Sequence, residues 1–184
     1  MLDVAHVKPG DTVYDLGCND GRVVLTAVSK KECLGVGYEV DGTAINKAKE
    51  ACEKLPPEVQ KRVTLIEGDA FEAPLKDADV LFLYLLPKGI RKLQRKLDRE
   101  LKPGTRVVTY LFKLPEELGT WAAEPKRVVG VSKPNSKFDT SDISKLYLYE
   151  VPAATGAARL VGAALAVVGG ALAVFARTRA SAGR

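Results

Sequence analysis

The strongest constraint on this chain is an alternation. Short runs that are apolar almost throughout, at 12–16, 34–40, 63–67, 79–85 and 106–111, are separated by stretches long enough for a helix. A strand that reads as a continuous apolar run is buried on both faces, the condition of a parallel sheet with helices packed on each side. The intervening stretches supply those helices: 22–30, 41–54 and 88–102, the last with Ile90, Leu93, Leu97 and Leu101 on one side. Pro56-Pro57 stops the second helix and Pro103-Gly104 the last. Beyond residue 111 the pattern changes, because 127–131 and 145–151 are strand-like and no helical apolar period lies between them. The sequence therefore predicts an α/β fold: a doubly wound, mostly parallel seven-stranded sheet closed by an antiparallel hairpin.

Charge divides the chain near residue 151. All 23 acidic residues precede Val151, whereas four of the 28 basic ones, Arg159, Arg177, Arg179 and Arg184, follow it. The net charge of +5 thus separates into +1 before that point and +4 after it. This predicts a domain at 1–151, a linker at 152–159, an apolar helix at 160–176 and a basic tail at 177–184. Three cysteines, Cys18, Cys33 and Cys52, form no C-x-x-C pair, and His6 is the single histidine. A disulfide framework, a zinc site and a histidine-based catalytic triad are thereby disfavoured, and no metal ligand set is assigned. Asp3, His6 and Lys8 interrupt the start of the chain and argue against a secretory leader.

Candidate ligand-binding residues lie after three consecutive strands. Asp15-Leu16-Gly17-Cys18-Asn19-Asp20-Gly21-Arg22 joins the first strand to the first helix, and its glycines allow a backbone to approach a ligand at a helix N-terminus. Glu39 ends the second strand, where an acid can accept both hydroxyls of a ribose. Gly68-Asp69-Ala70-Phe71 follows the third, with Asp69 suited to accept an adenine amino hydrogen. Open α/β sheets bind ligands at this edge.

The succession D-L-G-x-x-D-G-R, G-x-E and G-D-A, followed by an aromatic fourth strand, resembles the class I S-adenosylmethionine-dependent methyltransferases, with a Rossmann-like sheet. V-Y-D-L-G-C-N-D-G-R-V, the Y-L-L-P ending at Pro87, and E-L-K-P-G-T-R-V are similar to small methyltransferases related to the mitochondrial lysine methyltransferases acting on ATP synthase subunit c and the adenine nucleotide translocase. The resemblance implies S-adenosylmethionine as cofactor, lined by Asp15, Gly17, Asn19, Gly21, Glu39, Asp69 and Ala70. It also implies a protein substrate with a lysine acceptor and a mitochondrial membrane as the location. Asn19 stands where that loop commonly has glycine, a position where asparagine tolerates left-handed backbone. Few residues precede the first strand, so either residues 2–7 supply a short cover over the cofactor or the chain begins inside its own domain.

Enzymes of this class that methylate base amino groups place a polar residue before P-P-aromatic after the fourth strand. Tyr84-Leu85-Leu86-Pro87 stands there instead, which disfavours nucleic acid as substrate. An acceptor lysine must be deprotonated and held in line, as an apolar aromatic channel would do. Tyr84, Phe112 and Trp121 are the channel candidates, with core packing as the plainer role for Phe112 and Trp121.

Two basic features remain. Lys88, Arg91, Lys92, Arg95, Lys96, Arg99 and Lys102 crowd one helix, either as a solvated face or as a surface for anionic lipid or RNA phosphates. Residues 160–176 carry no charge, and as a helix would span roughly 25 Å, close to a hydrocarbon core of about 30 Å. A membrane anchor is the expectation, against an Ala-Gly helix docked on the domain or a poorly ordered tail. The pairs Gly162/Ala166 and Gly169/Ala173 would suit a helix-mediated dimer. The alternatives to a membrane-tethered lysine methyltransferase are a non-catalytic membrane-tethered cofactor-binding module and a small-molecule methyltransferase.

Overall fold

A computed structural model describes residues 1–115, 121–122, 124–132 and 143–153. Met1–Val151 forms one unit; the chain from Pro152 is a second, of which only Pro152 and Ala153 are described, so the linker, apolar helix and basic tail expected beyond them lie outside the described residues. No helix among the described residues is long and apolar enough to cross a membrane.

The first unit is a seven-stranded sheet. Its strands are β1 (Thr12–Leu16), β2 (Leu34–Glu39), β3 (Val63–Glu67), β4 (Val80–Leu83), β5 (Arg106–Tyr110), β6 (Arg127–Ser132) and β7 (Ile143–Glu150), in the order β3-β2-β1-β4-β5-β7-β6. The first five pair in parallel, and β7 inserts antiparallel between β5 and β6. The order reverses direction between β1 and β4, which makes their carboxyl ends the crevice where such sheets hold ligands.

Among the described residues four complete helices connect or flank the strands: α1 (Arg22–Lys31), α2 (Gly42–Glu53), the single turn α3 (Pro57–Gln60) and α4 (Pro87–Glu100). The Asp41 side chain accepts the Ala44 amide at 2.7 Å and so caps α2. Pro57 sits in the first turn of α3, where its fixed φ suits a helix start. A proline pair that stops one helix thus begins another, which the sequence reading did not anticipate. β4 is shorter than the apolar run 79–85. At its start Asp79 Oδ2 accepts the Thr12 amide at 2.8 Å, while its Oδ1 pairs with Lys102 at 2.8 Å. At its end the chain turns from the sheet towards Pro87 at the first position of α4.

Strand alternation sorts the core into two layers. Val13, Val80, Phe82, Val108, Leu146 and Leu148 bury one face beneath α1 and the segment Val4, Ala5 and Val7. Leu16, Leu81, Leu83, Val107, Tyr147 and Tyr149 bury the other beneath α4, through Ile90, Leu93 and Leu97. Full burial of each such α4 side chain contributes about 1.5–3 kcal/mol.

Candidate functional site

The β1–α1 turn depends on left-handed backbone. Gly17 has φ +79° and Gly21 φ +72°, and a Cβ on Gly21 would lie 2.9 Å from the Ala48 Cβ, closer than real Cβ contacts come. Asn19 also takes φ +51°, so the asparagine in this loop occupies the conformation for which it is the best non-glycine residue. Glu39 fixes the loop from the next strand: its Oε2 accepts the Asn19 amide at 2.9 Å and its Oε1 the Asp41 amide at 3.0 Å. One carboxylate therefore ties the glycine loop to the start of α2.

Two cavities meet at this turn. The larger, about 550 Å³, is lined by Asp15, Gly17, Cys18, Asn19, Tyr84 and Tyr110 among others, and Met1 reaches it. The second, about 470 Å³, is lined by Asn19, Glu39, Asp41, Thr43, Ala44 and Lys47. Both lie within the size range of small-molecule sites. Asn19 borders both cavities.

Asp15 is the most perturbed acid of the site. It is 6% exposed, and no hydrogen bond to its carboxylate occurs among the described residues. Burial first, and the negative charge of Glu39 second, push its pKa up to about 7. The Cys18 thiol is likewise pushed up to about 12 by burial, then by Asp15 and Glu39, and stays a thiol rather than a nucleophile.

The sheet separates the remaining candidates. Tyr84 is 59% exposed at the mouth of the larger cavity, and its ring meets Tyr110 edge-to-face with centroids 4.9 Å apart. Phe112 and Trp121 pack on the α4 side. Trp121 meets Tyr149 edge-to-face at 6.5 Å and donates its indole N–H to Asp98 at 3.3 Å. Neither lines the larger cavity, so of the three aromatics expected to form a channel Tyr84 alone borders it, with Tyr110 beside it. Asp69 follows β3, where its Oδ1 accepts the Phe71 amide at 2.9 Å, and neither Asp69 nor Ala70 lines either cavity. The sequence reading missed Tyr110; two-residue alternation from Val108 places it on the cavity side of β5.

Residues 15–121 match the family model described as "ANTKMT methyltransferase domain". The chain belongs to this family. It is a methyltransferase dependent on S-adenosylmethionine. A protein of Saccharolobus islandicus named "Protein-lysine N-methyltransferase" is 39% identical over 136 residues, 73% of this chain and 80% of that protein. The mouse "Adenine nucleotide translocase lysine N-methyltransferase" is 32% identical over 71% of this chain, which spans about half, 53%, of that protein. Among solved structures, an RNA methyltransferase from Salinibacter ruber in complex with S-adenosyl-L-homocysteine is 35% identical with a TM-score of 0.67. That likeness covers 82% of this chain and 87% of the solved one.

Proposed function

We propose that this family member is a protein-lysine N-methyltransferase held at a membrane by residues 160–176. The observation that carries the acceptor is the 39% identity to the Saccharolobus protein across four-fifths of its length. Bound here, S-adenosylmethionine would supply an electrophilic methyl group to a neutral lysine nitrogen, giving a methylammonium and leaving as the thioether.

The residues present fit that cofactor. Glu39 has spent one lone pair on each oxygen, leaving the outer pair on each for the two ribose hydroxyls. Asp15 offers a buried carboxylate lacking a donor among the described residues to a cationic ligand. The glycine turn and the α1 N-terminus bring backbone close to the same space, and Asp69 and Ala70 stand at the β3 end for the adenine. The apolar wall formed by Tyr84, Tyr110, Val131 and Leu146 keeps water from the acceptor, which favours the neutral amine. Uncharged residues 160–176, with Arg159 before them and Arg177 and Arg179 after, support the tether.

The solved Salinibacter relative, named an RNA methyltransferase, favours a second reading with RNA as acceptor. Incubating the protein with methyl-labelled cofactor, membrane extract and total RNA separates the two. Label recovered as methyl-lysine after protein hydrolysis supports the proposal, and label on RNA with none on protein sinks it. Glu39→Ala is expected to abolish transfer; full activity in that variant would refute its role at the ribose.

A further inference from the structure

The outward face of α4 is a cationic stripe. Lys88, Arg91, Lys92, Arg95 and Arg99 recur at helical spacing and fall within an arc of about 100°, opposite the buried Ile90, Leu93 and Leu97. All five are exposed, and none has an acidic partner among the described residues. Lys92 stands over the Phe71 ring at 5.3 Å, and Arg99 donates to the Arg95 carbonyl at 3.1 Å. Asp98, the acid nearest the stripe, accepts the Trp121 indole N–H. Five cations with no acidic partner among the described residues, over roughly 16 Å of helix, concentrate positive charge in a unit whose net charge is +1.

The stripe runs the depth of the sheet. Lys88 follows exposed Leu86 by two residues and Tyr84, which lines the larger cavity, by four. At the other end, the Gly104 amide just past α4 donates to the Val151 carbonyl at 2.8 Å, and Val151 packs against the α4-side core. The unit's last residue therefore leaves beside the foot of α4. Beyond it are 33 residues with no acid, four arginines and the uncharged run 160–176.

We propose that the α4 face lies on the surface of an anionic lipid bilayer, its five cations meeting headgroup phosphates and carboxylates. The partner is lipid, because the chain that continues from beside this helix is the part whose composition suits a bilayer. This rests on the membrane part of the function proposed above and adds an orientation: the α4 side of the sheet faces the bilayer, and the larger cavity, bordered by Tyr110 and Leu146 of the opposite face, lies on the other side of the sheet.

Flotation of the full chain on vesicles tests it. Phosphatidylcholine vesicles read the uncharged run, whereas the excess on vesicles containing about one-third phosphatidylserine reads the cations of stripe and tail together, at roughly fivefold per cation, and the stripe's share is the part its variant loses. The triple variant Arg91→Gln, Arg95→Gln, Arg99→Gln is expected to lose about a hundredfold of that excess at low salt while melting like the wild type. The triple Arg→Lys variant keeps it. Equal binding of wild type to both vesicles overturns the stripe and leaves the tether standing; binding to anionic vesicles alone that the Gln variant loses keeps the stripe and removes the tether. An excess unchanged in the Gln variant overturns the proposal. So does tighter retention on a single-stranded RNA oligomer in the same buffer, which would assign the stripe to nucleic acid.

Discussion

A buried carboxylate with no donor among the described residues disfavours its own ionisation, and Asp15 shows the consequence. Its pKa is raised to about 7, so between the unfolded value near 3.8 and pH 7 the folded state holds a proton that the unfolded state has lost. Stability of the ligand-free protein therefore falls as pH rises through that window and carries the full cost above it. Asp15→Asn is expected to stabilise the ligand-free protein near pH 8 by about 1–3 kcal/mol in thermal melts while weakening cofactor binding. A cationic cofactor beside Asp15 favours the carboxylate, so affinity should fall by up to tenfold per pH unit below about pH 7. Calorimetric titration at several pH values checks this, and an unchanged slope in Asp15→Asn would refute it. The strand-end positions of Asp15, Gly17 and Glu39 were legible in sequence because the apolar runs stop there, each within a few residues of a turn-forming glycine. Phe112 was not. Two-residue alternation would place it with Tyr110, but Leu111 takes φ +70° and turns the chain over, delivering Phe112 to the α4 side.

At the scale of elements, the segment before β1 is held by one residue from across the sheet. Arg106, at the start of β5, donates Nη1 to the carbonyls of Ala5 at 3.0 Å and His6 at 2.6 Å, while its Nη2 pairs with Asp11 at 2.8 Å. Val4, Ala5 and Val7 are thereby seated on the core, and Met1 reaches the larger cavity. Arg106→Met is expected to cost about 1–3 kcal/mol and to speed amide exchange across residues 1–7. It should also raise the KM for cofactor more than it lowers kcat; unchanged exchange in that segment would show that the apolar contacts suffice. Leu97→Ala separates packing from site effects, with an expected loss of about 2–5 kcal/mol and no change in KM for cofactor. The strands were readable because apolar runs and turn residues are local signals. This tie was not, since Arg106 and Ala5 are joined only by the register of β5 beside β4 and the fold of a loop.

For the whole molecule, the family match ends within the first unit, and the composition of the chain beyond it asks for a separate reason. That stretch has no acid, and its uncharged 160–176 run adds hydropathy while four arginines add charge. Insertion would be favourable by a small margin, because alanine and glycine dilute the three leucines, four valines and one phenylalanine of the run. A weak span gains from a second contact, since two linked membrane contacts act with a high effective concentration. Cells producing the tagged full chain are therefore expected to hold it in the membrane fraction, with part released by high salt. A chain ending at Ala154 should move to the soluble fraction, retaining methyl transfer to a soluble lysine peptide but losing most transfer to membrane extract. If both forms remain soluble with equal activity on extract, the proposed membrane anchor is overturned. Substrate choice would then rest on the Tyr84–Tyr110 mouth alone.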